Sequence, residues 1–136
     1  MPECVFCDIV ANEEPAQRVY EGDATLAFLD TAPATEGHVI VVPKSHRATL
    51  TDVEPELVGD VFRTVSHVAT SLQAALDPDG LTVHQSNGAA AGQEIDHVHV
   101  HVIPRDDVDD VTVQWPHGDP GEEGLNRVAT AIREET

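Results

Sequence analysis

The segment His97-Val98-His99-Val100-His101-Val102-Ile103 alternates imidazoles with branched apolar residues at a period of two. On a β-strand, side chains at i, i+2 and i+4 share a face. The spacing predicts a strand over 97–103 with three imidazoles on one side and Val98, Val100 and Val102 anchored in a core on the other. Imidazole can be neutral, charged, nucleophilic or metal-bound near neutral pH. Three readings stay open on the row alone. It could bind a metal ion, since His-x-His on a strand can bring two rings to one cation. It could handle phosphate, one ring attacking phosphorus while its neighbours donate to the oxygens. Or the rings could be buried and satisfied without a chemical role.

The loop just before the row favours phosphate. Asn87-Gly88-Ala89-Ala90-Ala91-Gly92-Gln93 is built from small residues with an amide side chain at each end. Small residues let a backbone approach a ligand closely, and successive N–H groups form an anion-binding concavity. A flexible turn between strands is the plainer alternative.

The elements needed to hold this row are legible around it. Residues 4–11 read as a short helical turn. Arg18–Glu21 and Thr25–Leu29 read as strands around Gly22-Asp23, a hairpin signal. His38–Val42 is a strand closed by Pro43. Leu57, Val61, Val65, Val68, Leu72 and Leu76 recur every three or four residues and predict a helix over about 55–76, opened by Pro55. Leu81–Gln85 is a further strand, 106–110 an acidic loop, 111–121 irregular, and 122–134 a last helix. The expected fold class is α+β, a single domain over 1–136 with a core at about 4–115 and a C-terminal loop and helix over 116–136. Its sheet would be mostly antiparallel and five-stranded, with one long helix and short terminal helices.

The chain has 136 residues and a formal charge of −18, from 25 Asp+Glu against 7 Lys+Arg. Such a surface argues against nucleic acid or an anionic membrane as partner. No apolar run is long enough to cross a bilayer. Met1-Pro2-Glu3-Cys4 lacks a basic-then-apolar leader pattern, so a cytoplasmic location is expected. Self-repulsion of this size is relieved where the Debye length shrinks to about 3 Å, near 1 M salt. A halophilic origin is therefore expected, an ordinary acidic protein being the alternative. Two cysteines, Cys4 and Cys7, cannot build a disulfide scaffold.

The histidine row, with Ala91-Gly92-Gln93 before it, resembles the signature of the histidine-triad (HIT) family. Cys4-Val5-Phe6-Cys7-Asp8-Ile9-Val10, Val19-Tyr20-Glu21, Ala27-Phe28-Leu29-Asp30, the run from Gly37 to His46, and Ile103-Pro104-Arg105 extend the likeness over about residues 4–115. The resemblance, closest to the family's Hint-like branch, implies a HIT-like fold, a homodimer, and cleavage at the α-phosphorus of nucleoside 5′-phosphate derivatives. AMP phosphoramidates are the expected substrates and dinucleoside polyphosphates the nearest alternative. A nucleotide-binding regulatory module and a metallohydrolase using the row on a catalytic ion are the readings from other classes.

Residue by residue, the resemblance makes His99 the nucleophile, forming a nucleotidyl-imidazole that water then hydrolyses. His101 would contact phosphate oxygens. His97 would end the row within hydrogen-bond range of His38. Asp30 would bind the ribose hydroxyls, and Asn87, Gly92 and Gln93 the phosphate. Position 94 departs from the pattern. Many relatives carry Ser or Thr there, whereas Glu94 places a carboxylate beside an anion. In prokaryotic relatives two such cysteines bind zinc with two histidines, here His46 and His97, in a closed structural site. Free thiols and a disulfide are the alternatives, and no organic cofactor is expected. His67 is expected to face solvent, His84 to be partly buried, Phe6 and Phe28 to pack in the core. Trp115 is expected either to pack or to shape the pocket of a partner subunit.

Overall fold

A computed structural model describes residues 3–136; Met1 and Pro2, on which part of the leader reading rests, lie outside the described residues. The order is α1 (Val5–Val10), β1 (Arg18–Glu21), β2 (Thr25–Leu29), β3 (Val39–Pro43), α2 (Pro55–Leu76), β4 (Gly80–His84), β5 (Val100–Arg105) and α3 (Gly121–Glu135). Single turns of 3-10 helix at Leu50–Asp52 and Ala89–Ala91 punctuate the loops. The five strands form one sheet in the order β1-β2-β3-β5-β4, every neighbouring pair antiparallel. The expected α+β architecture is the one observed.

The sheet is covered on both faces by different elements. α2 lies across one face, where Val61, Val65, Val68 and Leu72 meet Ala27, Val39, Val41, Val100 and Val102. On the other face α1 presents Phe6 and Ile9 to Leu26, Phe28, Ile40 and Val42. Burial of each such side chain stabilises by about 1.5–3 kcal/mol. Pro55 opens α2, and Asp77 closes it in a left-handed conformation at φ 47°. α3 spans the helix expected at about 122–134 to within one residue at each end, and it leaves Leu125, Val128 and Ile132 exposed.

The regular part of β5 begins at Val100 rather than at His97. Val98 N–H donates instead to Arg47 C=O at 2.7 Å, so 97–99 pair with the chain just beyond β3, outside the ladder. The alternation survives this shift: Val98, Val100 and Val102 are buried behind the imidazoles. β3 and β4 are displaced by one residue from their expected bounds.

Candidate active site

Sheet and α1 enclose a cleft of about 350 Å³. Its apolar lining includes Phe6, Ile9, Phe28 and Ile40, with the Phe6 ring 5.0 Å from that of His99 between centroids. Asp30, Gly92, Glu94, His99 and His101 also line it. Phe6 and Phe28 are both buried, with ring centroids 5.6 Å apart, so they serve the core and floor the cleft at once.

Backbone partners fix the tautomers of the rings. His99 Nδ1 lies 2.8 Å from His97 C=O. A carbonyl only accepts, so Nδ1 carries the hydrogen and Nε2 keeps a lone pair. His38 Nδ1 accepts from Ala34 N–H at 2.9 Å, which puts the His38 hydrogen on Nε2. That Nε2–H donates to His101 Nδ1 at 2.8 Å, leaving the His101 hydrogen on Nε2. One ring of the cleft thus offers a lone pair and its neighbour, 5.0 Å away between centroids, offers a donor. Burial is the leading cause that holds His38, His99 and His101 below the usual imidazole range, with His101 pushed down to about 4. All three are neutral at pH 7, as these tautomers require.

His97 does not pair with His38 as expected. It is fully buried, its Nε2–H donates to Pro43 C=O at 2.9 Å, and its Nδ1 faces two sulfurs. Cys4 Sγ is 3.4 Å and Cys7 Sγ 3.5 Å from that nitrogen, and Cys7 Sγ is 3.3 Å from His46 Nδ1. The four donor atoms lie within 4.8 Å of one another. Zinc–sulfur and zinc–nitrogen bonds of about 2.3 and 2.05 Å at a tetrahedral angle separate S from N by about 3.5 Å. The cluster has that spacing, and the Pro43 carbonyl orients His97 as an outer partner should. The donor set fits a structural zinc ion. The cysteines are not bonded to each other, which removes the disulfide reading for this state. Burial, then the hydrogen bond to Cys4, pushes the Cys7 thiol up to about 11, so it is no reactive thiolate on its own. Asp30, His38 and His101 also converge, yet the two rings spend their facing nitrogens on each other.

The loop before the row divides its residues between cleft and scaffold. Gly92, at φ +91°, reaches the cleft in a conformation that glycine adopts without strain. Gln93 is buried and spends its amide on backbone: Nε2 donates to Ala48 C=O at 2.7 Å and Ile95 C=O at 2.9 Å, and Oε1 accepts from Gly88 N–H. Asn87 Oδ1 accepts from Leu50 N–H at 2.7 Å. Neither lines the cleft; both fasten the loop.

His84 is exposed, opposite His101 on the edge strand β4, and not partly buried as expected. His67 is exposed and lies against Tyr20, the rings tilted by 53° with centroids 4.8 Å apart. Trp115 is 69% exposed, so the packing alternative fails within this protomer. Sequence reasoning passed over Asp109, taken as part of a solvated acidic loop. Both its oxygens accept from Arg105, at 2.8 and 2.9 Å, and this hydrogen bonding keeps its carboxyl far below the carboxylate range. The four-residue spacing from Arg105 was the available signal.

The HIT domain model matches residues 11–108. The chain belongs to the HIT domain family. An adenosine 5'-monophosphoramidase of Saccharomyces cerevisiae, HNT1, is 40% identical over 114 residues, which is 83% of this chain and 70% of that protein. The adenylylsulfatase HINT3 of Arabidopsis thaliana is 39% identical over 107 residues, 79% of this chain and 54% of the relative. Among solved structures, a HIT family protein from Bacillus anthracis superposes with a TM-score of 0.94 at 32% identity, covering 98% of this chain and 97% of that one. A zinc-bound histidine triad protein from Mycobacterium smegmatis, at 37% identity, has a TM-score of 0.77 and covers 98% and 96%. This HIT protein thus has Hint-like homologues, and the expected family is confirmed. No helix among its described residues is long and apolar enough to cross a membrane.

Proposed function

We propose that this chain is a nucleotide hydrolase or transferase acting at the α-phosphorus of nucleoside 5′-phosphate derivatives, of the AMP phosphoramidate type. The observation that carries the reading is the 2.8 Å contact from His99 Nδ1 to His97 C=O, which leaves the His99 Nε2 lone pair available to the cleft. The apolar lining takes the base, Asp30 the ribose hydroxyls and Gly92 the phosphate. Nε2 forms a bond to phosphorus as the bond to the leaving group breaks, and that group departs with its electron pair and takes a proton from solvent. The ring becomes an N-phosphorylated imidazolium, and its Nδ1–H bond to the carbonyl strengthens as the charge develops. His101 Nε2–H donates to a non-bridging oxygen. Water then attacks phosphorus, the electron pair returns to Nε2, and the water's proton leaves to solvent. The phosphoramidase and adenylylsulfatase names of the two relatives support adenylate as the retained half.

Cys4, Cys7, His46 and His97 would hold zinc, which when bound supplies a structural cross-link from the N-terminus to the sheet. A homodimer, a cytoplasmic setting and a salt-rich host complete this reading. Exposed Phe62 on α2 and Val83 on edge strand β4 are apolar surface open to a second copy.

The test is to mix the chain with an AMP phosphoramidate labelled at phosphorus, in high salt with zinc, and quench rapidly. Label bound to the protein, absent from His99→Ala, is the expected result. Undiminished AMP release by His99→Ala overturns it.

A further inference from the structure

We infer that Glu94 makes this enzyme selective for leaving groups that carry positive charge, and discriminates against polyphosphate leaving groups. This rests on the adenylate-transfer reading above and names the substrate class of the same site.

The charged residues lining the cleft are Asp30 and Glu94; none is a lysine or an arginine. Asp30 enters from the end of β2 beside the His38–His101 pair, 3.6 Å from His38 Nε2. Glu94 enters from a different element, the loop that also delivers Gly92. With the nucleoside against the apolar lining and Asp30, Glu94 is the charged residue of the lining left to meet the group departing from phosphorus. Its side chain is exposed and takes part in none of the ion pairs among the described residues.

Among the described residues, no lysine or arginine lines the cleft to neutralise a polyanion. Five of the seven cations are committed to carboxylates: Arg18 and Lys44 to Glu21, Arg47 to Glu54, Arg63 to Asp60, Arg105 to Asp109. The other two, Arg127 and Arg133, lie on α3. A polyphosphate leaving group would bring several negative charges toward Glu94. An ammonium-bearing amine, leaving as its P–N bond breaks and the nitrogen gains a proton, would meet an unpaired carboxylate of opposite sign.

The test compares kcat/KM for three adenosine phosphoramidates of matched length, ending in an ammonium, a neutral amide or a carboxylate. In 0.1 M salt the wild type is expected to rank them in that order over a spread of about tenfold, a spread that shrinks in 2 M salt. Glu94→Gln collapses the spread and Glu94→Lys reverses the order. An unchanged spread in both variants overturns the assignment, as does equal turnover of all three by the wild type. Release of AMP from none of the three overturns the functional reading itself.

Discussion

His38 Nε2 stands 2.8 Å from His101 Nδ1, and the backbone N–H of Ala34 holds the far side of the His38 ring. A donor aimed into the cleft therefore depends on a residue that does not line it. His101→Ala is expected to lower kcat about 100-fold, the typical cost of one preorganised donor to a developing oxyanion. His38→Ala, acting only through orientation, is expected to cost less, about tenfold, with KM little changed. Steady-state kinetics on the neutral phosphoramidate distinguish the two, and a His38→Ala enzyme with wild-type kcat removes the relay.

The same ring makes stability depend on pH. Burial first, then His99 and His38, push His101 down to about 4 from an unfolded value of 6.5. Between those values the unfolded chain binds the proton and the folded chain does not. The contribution is complete above about 6.5 and is lost as the pH falls toward 4. Urea midpoints are expected to drop across that interval, less steeply in His101→Asn, since the carboxylates common to both proteins cancel in the comparison. Parallel curves would refute the assignment.

The cluster of Cys4, Cys7, His46 and His97 predicts a stoichiometry. Elemental analysis of the purified chain is expected to find one zinc per molecule, lost in Cys7→Ser. Chelation should lower the unfolding midpoint by about 5 °C or more, because binding energy at a structural site is folding energy. A metal-free chain that melts at the same temperature as the zinc-loaded one contradicts this.

Gly37 adopts φ +90°, and a Cβ there would sit 2.5 Å from Leu76 Cδ1 and 3.3 Å from Pro104 Cγ. Gly37→Ala is expected to destabilise by about 2 kcal/mol, through left-handed strain and overpacking at the end of α2. Denaturant unfolding measures it; a loss under about 0.5 kcal/mol would show that the Leu76 side chain simply steps aside.

Net charge provides a separate test. At −18, with cations largely paired, the chain should gain stability as salt rises from 0.1 M to above 1 M. Melting temperatures across a sodium chloride series that stay flat would argue against a salt-adapted surface.

Much of this was legible in the chain because the relevant signals are local. Period two placed Val100 and Val102 behind the imidazoles, and the apolar repeat from Leu57 to Leu76 located α2. What escaped is non-local or shared. Alternation says that three rings share a face, but it cannot say where the ladder stops. The Val98–Arg47 hydrogen bond decides that, across 51 positions of sequence. It lies beside the point where His97 turns to the sulfurs and not to His38. Gln93 and Asn87 looked like ligands because an amide has the same donors whether it faces a phosphate or a carbonyl. Asp109 was hidden among neighbouring acids, only one of which meets an arginine.

The acceptor that sets the His99 tautomer belongs to a peptide group. Any amino acid at position 97 provides it, so alanine scanning there reports on the sulfur cluster and leaves this contact in place. Removing it takes a change in the main chain itself, such as a synthetic thioamide at residue 97, whose sulfur accepts more weakly. The hydrogen bond that fixes the His99 tautomer is therefore shielded from ordinary point mutation. Loss of activity in position-97 variants should be read as displacement of the strand and α1, not as deletion of a catalytic group.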